Sequence, residues 1–232
     1  MRTLIVNADD FGLSEGVNDG IVLAHEQGIV TSTTMMVRQP AAGAAGQYAR
    51  SSATLAVGLH VDLGEWAFED DEWVAVYQWV DLDDERAVRD EVQAQVARFV
   101  DLVGRKPTHV DSHQHVHSND PVRTVVEEVA AQLGVPLRHH TPGIRYEGGF
   151  YGQTDTGEPF ADLVSVPHLR SLLQGLPAGV TELACHPAAT ADVRTAYLHE
   201  RLLELSTLCH PDVRAKIADE SITLTSFAQL LR

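Results

Sequence analysis

Hydrophobic and polar positions along this chain fall into two alternating rhythms. Short β-branched runs, "TLIVNAD" at 3–9, "IVTSTTMMV" at 29–37 and "LAVGLHVDL" at 55–63, read as strands. So do "PTHVDSH" at 107–113, "VPLRHH" at 135–140 and "VTELACHP" at 180–187. Between them lie segments with helical spacing. Ser14 is placed as the N-cap of a helix through Gln27, with Gly28 as its stop. An Ala-rich segment runs from Pro40 to about Arg50. A long helix is expected from Asp84 to Val103, with Val88, Val92, Val96, Phe99, Val100 and Val103 on its apolar face and Gly104 beyond it. The segment 118–134 reads as a helix with Pro121 near its start and Gly134 at its end. Further helices are expected in the second half of 163–177 and from Asp192 to about His210, and the tail from Ser221 suggests one more strand and a terminal helix. Two stretches lack either rhythm and read as loops: the Trp-containing acidic segment 65–81 and the Gly-rich segment 141–160.

Repeated strand–helix alternation predicts an α/β fold, with parallel strands covered by outer helices, in one domain spanning 1–232. No internal repeat, low-complexity tract or linker interrupts it. In parallel α/β folds the chemistry collects at the carboxyl ends of the strands. Here the first strand ends in Asp9 and Asp10, and the third carries His60 and then Asp62. The fourth runs into "DSHQHVH", with Asp111, His113, His115 and His117, and the strand 180–187 ends near His186. A lone histidine or a pair of acids in any one of these places is ordinary. Their coincidence at four strand ends points to a common site.

Composition narrows what that site acts on. The 232 residues hold 33 acidic and 17 basic side chains, a formal charge of −16. Such a field repels phosphate backbones and anionic lipid, so neither nucleic acid nor membrane is an expected partner. Two cysteines, Cys185 and Cys209, give no disulfide framework, and no stretch approaches a membrane span, so the expected compartment is cytoplasmic. Twelve histidines are the one compositional oddity.

Adjacent carboxylates at a strand tip are tolerated only if water, a shared proton or a cation compensates them. A divalent cation suits the mixture of carboxylate and imidazole, and it leaves one acid free to handle protons. That division suits metal-assisted hydrolysis. Other chemistries find less support: there is no GxSxG elbow or phosphate-binding Gly-rich loop, and Cys185 should point away from His186. The second Cys-His-Pro, at 209–211, follows a helix and reads as coincidence, whereas His139 or His140 could face the rim.

At "NADDFGLSEGVNDGI", "VTSTTMMV", "VGLHVDL", "GRKPTHVDSHQHVH" and "TELACHP" the chain resembles the YdjC-like carbohydrate deacetylases, the family of the chitooligosaccharide deacetylases. The resemblance implies a distorted β/α barrel related to the polysaccharide deacetylases. It implies one divalent cation and removal of an N-acetyl group from an N-acetylated amino sugar or short oligosaccharide. Position by position, it assigns Asp10, His60 and His113 to the metal, Asp9 to the general base and His186 to the general acid. His115, His117, Asp62 and Tyr151 fall to substrate contact or support of the ligands. The family implies magnesium (Mg2+), whereas two imidazoles favour zinc (Zn2+) or another transition metal. The segments 65–84 and 145–159 depart from the family pattern; their aromatics, among them Trp66, Trp73, Tyr146 and Tyr151, suit either sugar stacking or the interface of a homo-oligomer. Two rivals stay open at this stage. One is another barrel metallohydrolase, a phosphoesterase or cyclic amidohydrolase, with Asp62 and Asp111 holding a second ion. The other is a non-catalytic sugar-binding relative.

Overall fold

The computed structural model describes residues 1–69, 71–154, 156–193 and 197–230. Its centre is β1 (Arg2–Phe11), whose last eight residues are buried. One edge of β1 pairs with β8 (Gly179–Cys185); the other takes β9 (Ile222–Thr225) at its start and β2 (Ser32–Met35) at its end. Outward from these lie β3 (Ala56–Val61) and β6 (Val110–Ser112) on one side and β7 (Ile144–Glu147) on the other. Every pairing in this sheet is parallel. Strands β6 and β7 are not joined, so the barrel expected from the resemblance is a half-barrel.

Helices α1 (Glu15–Glu26), α2 (Ala42–Ser51), α3 (Glu85–Val103), α4 (Val122–Leu133) and α5 (Val166–Gly175) surround it. They are followed by α6 (His199–Leu208), α7 (Pro211–Asp219) and α8 (Phe227–Leu230). Among the described residues no helix is long and apolar enough to cross a membrane. Ser14 caps α1 by accepting from Val17 N at 3.1 Å, and Asp84 caps α3 by accepting from Arg86 N and Ala87 N. Gly104 and Gly134 close α3 and α4 in the left-handed conformation.

Several elements differ from expectation, each for a local reason. The segment 65–81 is a hairpin, β4 (Gly64–Glu69) and β5 (Glu72–Gln78), standing apart from the main sheet. Apolar side chains occupy both of its faces, Phe68 and Trp73 on one and Ala67 and Val74 on the other, so no apolar–polar alternation marked it. The expected strand 135–140 shrinks to one bridge between Leu137 and Val110, because Pro136 offers no N–H and His139 turns the chain at φ 66°. The "loop" 141–160 contains β7, which continues the sheet beside β8. The run after Ser112 leaves the strand as a 3-10 turn over His113–Ser118, so its histidines do not share an extended face. Helix α6 begins only at His199: the Asp192 carboxylate caps α1 instead, accepting from Ser14 Oγ and Gly16 N, and 194–196 lie outside the described residues. Helix α7, which begins at Pro211 after His210, had no counterpart in the sequence reading. On α3, Val100 is exposed, and Gln95 takes the buried place, its amide bonding both backbone groups of Asp62.

Helix α1 lies against the loop that leaves β8. At Gly20 a Cβ would stand 2.4 Å from Ala188 Cα and 2.7 Å from Ala189 N, both backbone atoms. Gly20→Ala is therefore expected to destabilise the protein by about 1–3 kcal/mol, the usual range for overpacking. Urea unfolding would show this as a lower midpoint; an unchanged midpoint would mean that α1 does not sit this close.

Candidate active site

Successive side chains on a strand point to opposite faces, so Asp9 and Asp10 should not both reach one site. They do because β1 breaks register with β2 between Ala8 and Phe11, with Asp10 in the left-handed conformation at φ 70°. The chain then leaves through Gly12, at φ 102°, where a Cβ would meet Met36 O at 2.8 Å. Both carboxylates end up buried at the carboxyl edge of the sheet.

Asp10 Oδ1 lies 3.3 Å from His60 Nε2 and 3.3 Å from His113 Nδ1. It is buried and has no hydrogen-bond partner among the described residues. Donors held about 2.1 Å from one shared ion, at tetrahedral or octahedral angles, stand about 3.0–3.4 Å apart. An orphaned carboxylate oxygen facing two imidazole nitrogens at that spacing fits a divalent cation. The opposite nitrogen of His60, Nδ1, lies 2.7 Å from Asp111 Oδ1. That bond fixes the tautomer and leaves the Nε2 lone pair to face Asp10. Burial disfavours a charged His60, yet Asp111 and Asp10 together raise its pKa well above the ordinary histidine value, as expected where a cation would replace the proton. The other oxygen of Asp10, Oδ2, accepts from Arg201 Nη2 at 2.7 Å. Burial would raise the Asp10 pKa, but Arg201 and the two imidazoles hold it well below the carboxylate range.

Asp9 is organised by a different cation. Arg138 donates through Nη1 to Asp9 Oδ2 at 2.6 Å and through Nη2 to Asp9 Oδ1 at 2.8 Å. The same guanidinium meets Asp111 at 2.8 Å and Glu182 at 2.7 Å. Asn7 Nδ2 adds a 2.8 Å bond to Asp9 Oδ1, so Asp9 Oδ2 keeps its open side towards His186, whose Nε2 is 3.8 Å away. Burial pushes against ionisation of Asp9, and Arg138 overcomes it, holding the pKa far below normal. Around this floor five buried carboxylates, Asp9, Asp10, Asp111, Glu182 and Glu204, face two buried guanidiniums, Arg138 and Arg201. Protons favoured on His60 and His186 offset part of the excess negative charge, and the rest needs relief. Burial pushing Glu182 up to about 7 is one form of it, and a bound divalent cation is another.

His186 leaves β8 just beyond Cys185. Its backbone N–H donates to Glu204 Oε2, and its Nδ1 lies 3.8 Å from Glu204 Oε1. Tyr197 also donates its hydroxyl to Glu204, and its ring stacks on Tyr151 at 4.5 Å and 1°. Burial would lower the pKa of His186, but Glu204, Asp9 and Asp10 raise it above the ordinary value. The imidazolium is thereby favoured more than in an ordinary histidine.

Asp9, Asp10, His60, His113 and His186 thus converge. Tyr151 lines the same cleft, edge-on to His186 at 5.4 Å, and burial pushes its phenol up to about 12. His115 also lines it, its Nε2 hydrogen-bonded with Tyr146 OH at 3.2 Å, while its buried Nδ1 has no partner among the described residues. His117 points away, bonded to Ser112 Oγ and the Arg138 carbonyl. Burial holds both rings down at about 3, so they are neutral. Asp62 is outside the cleft: its carboxylate accepts from Gln39, Tyr77 and Trp79 and anchors the hairpin. His139 packs on Tyr146 at 4.4 Å, and His140 pairs with Glu127 on the outside. The residues the sequence reading missed are Arg138, Glu182, Arg201 and Glu204. Their one signal is charge where periodicity calls for apolar side chains: Arg138 follows "VPL", and Arg201 and Glu204 lie on the buried face of α6.

These groups form the floor of a cleft of about 900 Å3, walled by Trp66, Phe68 and Trp73 of the hairpin and by Tyr146 and Tyr151 opposite. Comparison with known proteins matches residues 3–219 to the YdjC-like protein family. A chitooligosaccharide deacetylase of Serratia marcescens is 35% identical over 265 residues, covering 99% of each chain. A solved structure from Enterococcus faecalis V583, provisionally described as a cellobiose-phosphate cleavage protein, superposes with a TM-score of 0.78 at 28% identity, covering 99% of this chain and 98% of that one. A family 4 carbohydrate esterase from Streptomyces lividans, solved with acetate, shares the fold at a TM-score of 0.59 and 11% identity, over 96% and 91% of the two chains.

Arg138→Met would strand Asp9, Asp111 and Glu182 without their shared cation. The expected loss is about 3–5 kcal/mol at pH 7, the usual result of removing one partner from a buried ionic cluster. In the wild type, Asp9 has a depressed folded-state pKa, so its contribution stays intact between pH 7 and pH 5 and is lost only below the unfolded carboxylate value, about 4. The variant lacks that contribution, and its stranded carboxylates take up protons readily. Its deficit should therefore shrink between pH 7 and pH 5, as followed by denaturant titration at several pH values; a pH-independent deficit would contradict this.

Proposed function

The chain belongs to the YdjC-like family, and on that premise we propose that it is a metal-dependent carbohydrate deacetylase, removing the N-acetyl group of an N-acetylated amino sugar or short oligosaccharide. Residues 1–232 are read as one catalytic domain. The observation that carries this reading is the orphaned Asp10 Oδ1 between His60 and His113, with Asp9 and His186 flanking the same floor. Asp10, His60 and His113 would hold the cation. When bound it supplies Lewis acidity, polarising the acyl oxygen and acidifying water. Two imidazoles in a set of three donors favour zinc or another transition metal over the magnesium implied by the family.

The chain's own residues divide the proton work. Asp9, ionised and held by Arg138, takes the proton of the attacking water through Oδ2, the oxygen open towards the cleft. So depressed a carboxylate is a weak base towards ordinary water, which is why the water must be acidified. His186, in its protonated form, which Glu204 favours, donates to the departing amine, releasing acetate and a free amino sugar. Neutral His115 lines the same cleft, where its ring can contact the sugar.

A two-metal centre finds less support. The second cluster of donors, Asp9, His60 and Asp111, shares His60 with the first, and Arg138 already occupies both of its carboxylates.

The direct test is acetate release from N-acetylglucosamine and its short oligomers with zinc, cobalt or magnesium supplied. Asp9→Asn should keep its metal, by elemental analysis, and lose about 100-fold or more in turnover; full activity would remove Asp9 from the mechanism.

The pH profile has a definite sign. Activity needs Asp9 ionised and His186 protonated, so kcat/KM should fall on the alkaline side, above the ordinary histidine range. Glu204→Gln removes the carboxylate that raises His186 and should move that limb to lower pH. A limb that stays in place would detach Glu204 from the proton donor.

A further inference from the structure

Behind the catalytic floor lies a buried histidine that the proton transfers above do not use. His109, just ahead of β6, is 1% exposed. Phe227 of α8 stacks on its ring, with centroids 3.8 Å apart and 16° between the planes. At Gly58 of β3 a Cβ would stand 2.6 Å from two atoms of the same ring. Phe227 is itself tied to the sheet: its N–H donates to Ser32 Oγ at 3.2 Å, and Ser32 is the β2 residue paired with Asn7. Both ring nitrogens of His109 are bonded, Nδ1 with Thr108 Oγ1 at 2.9 Å and Nε2 with Asn7 Oδ1 at 2.8 Å. Asn7 is wholly buried two residues before Asp9 on β1, and its Nδ2 donates to Asp9 Oδ1 at 2.8 Å and to Thr34 Oγ1 at 3.3 Å.

The direction of every hydrogen in this row follows from the acid at its end. Asp9 is ionised and only accepts, so the Asn7 amide turns Nδ2 towards it and Oδ1 towards His109. An amide oxygen also only accepts, so His109 carries its hydrogen on Nε2. Burial and the charge of Arg138 hold the His109 pKa well below the ordinary value; the ring is neutral, and its Nδ1 takes the Thr108 hydroxyl hydrogen. One amide orientation and one tautomer satisfy the row. Turning the amide over would set oxygen against oxygen at Asp9 and N–H against N–H at His109. Asp9 Oδ1 depends on this donor. Arg138 Nη2, its nearest alternative, has two hydrogens and meets three carboxylates within 2.8 Å, those of Asp9, Asp111 and Glu182. The Thr34 hydroxyl stands 3.5 Å from Asp9 and is closer to Asp111, at 3.0 Å. Asn7 Nδ2 has two hydrogens for two acceptors, so its bond to Asp9 is undivided.

We propose that Asn7 and His109 are positioning residues for the general base: the row from Thr108 through His109 and Asn7 pins Asp9 Oδ1, so that Oδ2 is the oxygen held ready for the proton of the attacking water. The proposal rests on the deacetylase reading above and deepens it, naming what orients the base besides Arg138. Neither residue lines the cleft. Asn7 touches Asp9, and His109 acts only through Asn7.

The test measures kcat and KM for acetate release from N-acetylglucosamine and its β-linked dimer, using zinc-loaded wild type, His109→Leu, His109→Gln, Asn7→Ser and the double variant of His109→Leu with Asn7→Ser. His109→Leu should lower kcat about tenfold or more, the scale of a displaced reacting group, with KM and zinc content unchanged. A glutamine amide N–H can stand where the imidazole Nε2–H stood, so His109→Gln should recover most of the loss. Asn7→Ser is too short to bridge and should cost at least as much as His109→Leu. Adding His109→Leu to it should cost nothing further, because both act through one contact. Unchanged kcat in His109→Leu, additive losses, a fall in zinc content, or a His109→Gln no better than His109→Leu would make His109 a packing residue and overturn the proposal. Crystal structures of the variants give a reading independent of turnover. In His109→Leu and Asn7→Ser the Asp9 carboxylate should leave its single orientation on Arg138, and an Asp9 that superposes on the wild type overturns the proposal. Asn7→Ser keeps the packing around His109 and carries both readings if His109→Leu does not fold. If neither sugar releases acetate, the deacetylase reading fails separately, and the Asp9 orientation in the crystals still decides.

Discussion

Everything at the catalytic floor depends on a surplus of buried negative charge held in place by two arginines. Arg138 gathers Asp9, Asp111 and Glu182, and Arg201 takes one oxygen of Asp10. Carboxylates buried together repel and lose hydration, so this cluster exists only because its oxygens are distributed among fixed donors. The distribution is incomplete at one atom, Asp10 Oδ1. A divalent cation at that atom would complete the charge balance, and the arginines that make the cluster tolerable hold Asp9 and Asp10 apart from one another's donors. Arg138 leaves Asp9 oriented and ionised, and Arg201 leaves Asp10 one oxygen to give.

The fold serves this arrangement by delivering one side chain per strand. β1, β3 and β8 end at the same edge, and the 3-10 turn after β6 supplies His113. Backbone strain falls where strand geometry alone would misdirect a side chain. Asp10 adopts a positive φ so that it can stand beside Asp9, and Gln114 and His115 do so to tie both cleft walls to the turn. The gap between β6 and β7, where a closed barrel would have continued, is crossed by the segment that brings Arg138 inward.

Much of this was legible in the sequence because strand ends are legible. Asp9, Asp10, His60, His113 and His186 each follow a β-branched run, and parallel topology obliges such ends to meet. Arg138 and Glu204 were not legible, because pattern reading treats a charged residue as an exposed one: Arg138 is buried by pairing with Asp9, 129 positions away, and Glu204 by accepting from the His186 N–H and the Tyr197 hydroxyl. The hairpin was missed for the opposite reason. Both of its faces carry apolar side chains, Trp66, Phe68 and Trp73 on one and Ala67 and Val74 on the other, so the apolar–polar alternation that signals a strand was absent. Asp62 shows how proximity in sequence misleads. It sits two residues after His60, yet three side-chain donors hold it at the hairpin base.

The central claim is that side chains from three separate strand ends hold a single ion. Anomalous diffraction from crystals grown with zinc or cobalt tests it most directly. One peak within bonding distance of Asp10 Oδ1, His60 Nε2 and His113 Nδ1, with Asp9 still on Arg138, is the predicted result. An empty position there, or two peaks sharing Asp9 and Asp111, would contradict the account.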